Sequence, residues 1–162
     1  MPERTRTVSW EDPAESARRG MEMGGLDYIR AIHRGEIPAP PMAILLGFDL
    51  HEVEEGRVTF RAVPGEHLYN PMNSVHGGLA LTMLDSAAGA SVHTTLPQGK
   101  LYGSLETKVN MVRAIDADSG PLLAQGSVVH RGSKIATAEA RLIGEQDDRL
   151  YAHGTSTCLI LG

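Results

Sequence analysis

Apolar and polar positions change their period several times along this chain, and each change marks an element. From Leu26 to Ile32 the apolar residues Leu26, Ile29 and the pair Ala31-Ile32 fall near helical spacing, and Pro38, Pro40 and Pro41 close the segment. A short helix followed by a turn is predicted. Residues 43 to 54 hold a brief apolar patch, AILLGF, and then turn polar. In RVTFRAV, residues 57 to 63, Val58, Phe60 and Ala62 alternate with polar neighbours, which predicts a strand hairpinned through Glu55-Gly56. Residues 76 to 95, HGGLALTMLDSAAGASVHTT, are rich in alanine and free of proline, and Asn73 or Ser74 stands ready as the cap. This longest predicted helix spans about 30 Å at ~1.5 Å per residue. Apolar or small residues ring it almost completely, so most of its sides should be buried.

Four strands are then predicted, over 101 to 115, 121 to 130, 134 to 144 and 149 to 161. Asp118-Ser119-Gly120, Arg131-Gly132-Ser133 and Gln146-Asp147-Asp148 mark the turns between them. In the first, Leu105, Val109 and Met111 alternate with Ser104, Lys108 and Asn110. An antiparallel sheet wrapped around one central helix satisfies the order strand, strand, long helix, four strands: an α+β arrangement.

With 162 residues and 41% hydrophobic content, the chain is long enough for one domain with a real core. Residues 1 to 24 carry charges, two prolines and little apolar material beyond Val8, Trp10, Met21 and Met23, so they read as an exposed, flexible arm ahead of a domain over 25 to 162. The single cysteine, Cys158, rules out an internal disulfide framework and any Cys-rich zinc site, and suits a reducing compartment. No apolar run reaches the roughly 18 residues of a membrane span, and the N-terminus lacks an apolar signal core. A cytoplasmic protein without membrane partners is expected. A net charge of -5 argues against nucleic acid, so any anionic ligand must find local basic residues.

The chemistry concentrates in residues 70 to 85, NPMNSVHGGLALTMLD. A helix N-terminus offers unpaired backbone N–H groups and a partial positive charge, and glycine allows close approach to that backbone. Gly77 and Gly78 therefore fit an oxyanion site; tight helix packing is their other reading. Asp85 sits inside an apolar run with no basic residue on its own helix, and lone buried carboxylates are rare, which favours catalysis over structure. It would act as general base or as nucleophile. Asn70, before Pro71, either shapes a turn or serves catalysis. His76 holds the loop through its ring rather than binding metal, and His67, His93, His130 and His153 lack metal-ligand spacing. Ser104 shares its strand face with Lys108 and Asn110, which reads as a solvated face. Arg131 and Lys134 border a glycine turn, where they either meet phosphate or face water; Arg113 is a further basic candidate.

The string N-x5-H-G-G-x7-D (Asn70, His76, Gly77, Gly78, Asp85), the stretch S-L-E-T-K-V-N (Ser104 to Asn110) and R-G-S-K-I-A-T-A-E-A (Arg131 to Ala140) resemble the hotdog-fold acyl-CoA thioesterases of the phenylacetate-degradation, or PaaI-like, group. The resemblance covers roughly residues 40 to 160. It implies a homodimer or dimer of dimers that hydrolyses acyl-CoA thioesters with no metal or other cofactor. By the same resemblance Asp85 is the catalytic carboxylate, Gly77 the oxyanion donor, Asn70 the water-positioning amide and Ser104 the polar partner on the strand after the helix. The chain departs from the family in having Asn73 where glycine is frequent, and Ser133 before Lys134 where a basic residue is common.

Eight residues separate Gly77 from Asp85, about 12 Å along one helix at ~1.5 Å per residue. A catalytic group must come within roughly 3 Å of the atom it serves. Asp85 of one protomer is therefore expected to work with Gly77 and Asn70 of its neighbour, as the resemblance also implies. The alternatives are a hotdog enoyl-CoA hydratase or dehydratase and a non-catalytic acyl-CoA-binding protein. A hydratase needs an acid and a base beside the β-carbon, and Asp85 has no helical histidine partner for that task.

Overall fold

In a computed structural model, which describes residues 3–162, the chain runs α1 (Pro13–Met21), α2 (Gly25–His33), α3 (Pro41–Leu46), β1 (Phe48–Glu54), β2 (Arg57–Ala62), α4 (Gly77–His93), β3 (Leu101–Met111), β4 (Leu122–Arg131), β5 (Ile135–Gly144) and β6 (Leu150–Leu161). Met1 and Pro2 of the expected arm lie outside the described residues. The six strands form one antiparallel sheet in the order β1-β2-β4-β5-β6-β3. It curls around α4, the arrangement of a hotdog fold. Among the described residues no helix is long and apolar enough to cross a membrane.

The core explains why α4 tolerates so many small residues. Met83, Leu84, Ala87, Ala88 and Val92 lie fully buried against Val58, Leu122, Ala124, Ala138 and Leu142 of the sheet. Each buried leucine contributes roughly 1.5–3 kcal/mol of transfer free energy. Helix and sheet approach so closely that a Cβ on Gly126 would run into the Ala87 carbonyl, and one on Gly89 into the Tyr102 ring. Buried Ser91 ties the layers together: its hydroxyl donates to Ala87 O at 2.7 Å and accepts from Val58 N at 3.1 Å.

Three local features differ from the sequence expectation. The α4 cap is His76 rather than Asn73 or Ser74, because those two residues are spent on the preceding turn, Asn73 at φ 60° and Ser74 in hydrogen bonds with Asn70. The strand expected to reach residue 115 stops at Met111, where Val112 N and Arg113 N both turn toward Tyr151 O. Residues 13 to 21, inside the stretch read as an arm, form α1. Asp12 caps it by accepting from Ala14 N at 2.9 Å, and buried Gly20 rests on the Tyr28 ring of α2.

Candidate active site

Two stretches of α4 carry the candidate chemistry. At its start the chain is held by a short bridge between Tyr69 and Val75, and Asn70 organises the turn between them. Asn70 Oδ1 accepts from Met72 N at 2.8 Å and Ser74 N at 3.3 Å, while its Nδ2 donates to Ser74 Oγ at 3.0 Å. Asn73 occupies the left-handed region, which asparagine tolerates better than most residues and glycine best. Val75 N donates to Ile115 O and His76 N to Leu68 O, each at 2.8 Å, which aims the next residues at the helix.

His76 Nδ1 accepts from Gly78 N at 2.9 Å, so the ring carries its proton on Nε2. Leu79 N returns to His76 O at 3.0 Å. Gly77 N alone in this opening turn has no partner among the described residues. It points from the positive end of a buried 17-residue helix. Met111 lies beside it, its Sδ 2.5 Å from the place a Cβ would take on Gly77.

Two turns on, half-buried Asp85 faces β3, where Thr107 Oγ1 donates to its Oδ1 at 2.6 Å. Among the described residues no cation pairs with it. Its titratable neighbours are Tyr102 and Cys158; burial is the main force pushing both upward, and the Asp85 charge adds to it, so both stay neutral near pH 7. Ser104 does not bond to Asp85. It pairs across the ladder with buried Cys158, while its own side chain is exposed.

The face assigned to Ser104 from simple alternation is corrected by a β-bulge. Ser104 pairs with Cys158 and Glu106 with Thr157, leaving Leu105 as the extra residue. Cys158 and Ser156 are buried beneath α4, so their partners Ser104 and Thr107 face the helix, while Glu106 turns outward. Alternation without a bulge keeps Ser104 on the outward face with Glu106 and Lys108, and the inserted residue carries Ser104 across. Thr107 lies on the face that Leu105, Val109 and Met111 already mark as inward, but that it meets Asp85 depends on where α4 crosses the strand, which no local signal gives.

The helix face next to Asp85 opens on a cavity of about 420 Å³. Ser86, Ala90 and His93 line it from α4 at i, i+4, i+7 spacing; Phe48, Phe60, Ile29 and Tyr28 close the other sides. Its size is that of an ordinary small-molecule pocket. Burial holds His93 below the usual histidine range, so it lines the wall as neutral imidazole.

The basic candidates do not converge in one chain. Arg131 and Lys134 flank the β4–β5 turn, and Arg131 shares a shallow cleft with Gly24, Thr94 and Pro97 beyond the C-terminal end of α4. Arg113 lies past the opposite end of β3, its guanidinium 5.9 Å from the Tyr151 ring centre.

A helix start with a glycine N–H free among the described residues, a carboxylate farther along the same helix and an apolar pocket, all inside a hotdog sheet, make up the candidate site. Residues 72–151 match the family model of the thioesterase superfamily. An inferred esterase of Halobacterium salinarum is 30% identical over 107 residues, covering 63% of this chain and 69% of that protein. The chain belongs to the thioesterase superfamily, and to its PaaI-like type. Similar in structure is an inferred thioesterase of Ralstonia eutropha, a phenylacetic acid degradation-related protein: TM-score 0.73, 29% identity, 82% of this chain and 98% of that one. The Escherichia coli PaaI protein from the phenylacetic acid degradation operon shares the fold at TM-score 0.73 and 19% identity, over 86% and 96% of the two chains. So does a Streptococcus mutans protein solved with acetyl CoA, at TM-score 0.64 and 23% identity, over 72% and 90%.

Proposed function

We propose that the protein hydrolyses acyl-CoA thioesters to the free acid and CoA. The observation that carries this is Asp85: a half-buried carboxylate whose hydrogen-bond partner is a neutral hydroxyl rather than a cation, set beside an apolar cavity. A structural carboxylate at such a place is normally matched by a cation, whereas a catalytic one must stay free to react. The acyl group occupies the cavity and the thioester carbonyl lies at its mouth. Asp85 either takes a proton from a water that attacks the carbonyl carbon, or attacks that carbon itself; in both routes the adduct collapses with cleavage of the C–S bond and CoA leaves as the thiolate, to be protonated, and in the second water then hydrolyses the mixed anhydride. The Gly77 N–H stabilises the oxyanion, aided by the helix dipole. Asn70 and His76 hold the loop that presents it, with Gly78 committed to His76 and spacing the backbone for the ligand. Ser104 adds a polar group beside Asp85, and Arg131, Lys134 and Arg113 offer charge to the CoA phosphates. Acetyl CoA on a protein of the same fold is in keeping with this substrate class.

Each site takes Asp85 from one protomer and Gly77 with Asn70 from another. Both Gly77 and Asp85 lie on α4, about 12 Å apart at ~1.5 Å per residue. The sheet edge formed by β3 exposes Leu101, Leu105 and Met111, with Leu81 of α4 also exposed, and such an apolar edge calls for a cover. Complementation tests the reading. Asp85→Ala and Asn70→Ala, which dismantles the turn ahead of Gly77, should each be folded and at least about a hundredfold slower in thiol release. Dissociated together and reassociated, half the dimers become hybrids with one intact site each, and about a quarter of wild-type activity returns. Near-normal turnover in folded Asp85→Ala sinks the catalytic assignment. A mixture as inactive as its parents sinks the shared site.

A further inference from the structure

We infer that Thr107 is the positioning residue of Asp85, holding Oδ1 so that Oδ2 is the oxygen that acts. This rests on the reading of Asp85 as the reacting carboxylate. A threonine hydroxyl has one proton, and two acceptors compete for it: Asp85 Oδ1 at 2.6 Å and Ser156 Oγ at 3.1 Å. The shorter, charge-assisted bond takes it. Ser156 gives its own proton to Glu106 O at 3.1 Å, the carbonyl next to the bulged Leu105, so toward Thr107 it is only the longer, neutral acceptor. Bulge, Ser156, Thr107 and Asp85 thus form one chain of contacts in which only Oδ2 is left without a partner among the described residues. The Glu106 carboxylate stands on the outward face, away from Asp85. Two carboxylates facing each other there would resist ionising together.

The surroundings make the effect readable by pH. Tyr102 of β3 and Cys158 of β6 face Asp85 and remain neutral, while Glu106, Lys108 and Glu139 stand on the outward face of the sheet. The packed faces of β4 and β5 present Ala124, Gly126, Ala136 and Ala138. Taking away the donated hydrogen bond removes support from the charged form of the carboxylate alone, so the pH profile of the variant reports on that bond.

The test measures kcat and KM across pH for wild type, Thr107→Val, Thr107→Ser and Asp85→Asn, on the best substrate of an aryl, short and long acyl-CoA panel read by thiol release. Thr107→Val should lower kcat about tenfold or more with KM within about twofold, and shift the acidic limb upward. Thr107→Ser, which keeps the donor, should restore both kcat and the limb. Thr107→Ala gives the same readout should the valine variant not fold. A dead Asp85→Asn with an unmoved Thr107→Val overturns the inference and leaves Asp85 standing. An equal loss in the serine and valine variants, with no shift of the limb, also overturns it, because packing then explains the loss. Turnover surviving Asp85→Asn, or no thiol release from any panel member, overturns the underlying function as well.

Discussion

The two ends of α4 are built to opposite specifications. At the C-terminal end Ser91 and His93 are buried, Thr94 donates to Ser91 O at 2.6 Å and accepts from Gly56 N at 2.8 Å, and α2 presses so close that a Cβ on Gly25 would overlap the His93 carbonyl. The Ser91, Thr94 and Thr95 hydroxyls there are all spent on bonds within the fold. At the N-terminal end Met72 is 81% exposed, the Gly77 N–H is unpaired, and the nearest obstacle to a side chain on Gly77 is the flexible tip of Met111. The closed end fixes the helix on the sheet, and the open end can then leave a donor unsatisfied without loss of order. The same residue type, glycine, serves close packing at one end and access at the other.

Breaking the contrast at the closed end should have the largest effect. Gly25→Ala forces a methyl against a backbone carbonyl that cannot yield, so a loss of about 3 kcal/mol or more is expected in thermal or denaturant unfolding. Gly77→Ala needs only the Met111 tip to swing aside and should stay within about 1 kcal/mol of wild type. Similar losses from the two substitutions would show that the ends do not differ as described. Next in size comes the cap. His76→Ala removes the acceptor for Gly78 N and should cost about 1 kcal/mol, while His76→Asn, a good capping residue, should recover most of it. If asparagine gives no recovery, the ring matters for some other contact. The smallest effect concerns His93. Burial lowers its protonation below the ordinary histidine value of 6.5, so as pH falls the unfolded chain takes up a proton before the folded one does. Its contribution is complete above 6.5 and is lost as pH falls through the lower folded value. Denaturant midpoints taken from about pH 7.5 to about pH 5.5 should fall more for wild type than for His93→Gln; parallel curves would remove His93 from the closed end's pH response.

Much of the architecture was legible because it rests on local periodicity. The α4 and β2 segments, the Glu55-Gly56 hairpin and the order of the last four strands follow from spacing and turn residues alone. The Asp85 anomaly was equally visible, since a carboxylate inside an apolar helix stands out without knowledge of its neighbours. The α4 cap was misplaced by two or three residues, because asparagine and serine favour caps and turns for the same reason, and choosing between them requires knowing where the turn bends.

By itself, then, the sequence determined which segments become helix and strand, which residues must be buried, and that a carboxylate and a glycine-rich helix start share one helix. Those properties depend on residue type and on spacing within a few turns. Only the tertiary structure decided that His76 is the cap, that Gly77 rather than Gly78 keeps its N–H free, that a pocket opens at Ser86, and that Thr107 rather than Ser104 meets Asp85. The reason is register. A single inserted residue at Leu105 carries Ser104 to the face that Thr107 holds, and both the bulge and the level at which Thr107 meets Asp85 are set by pairing with β6, whose residues lie about 50 positions away in the chain.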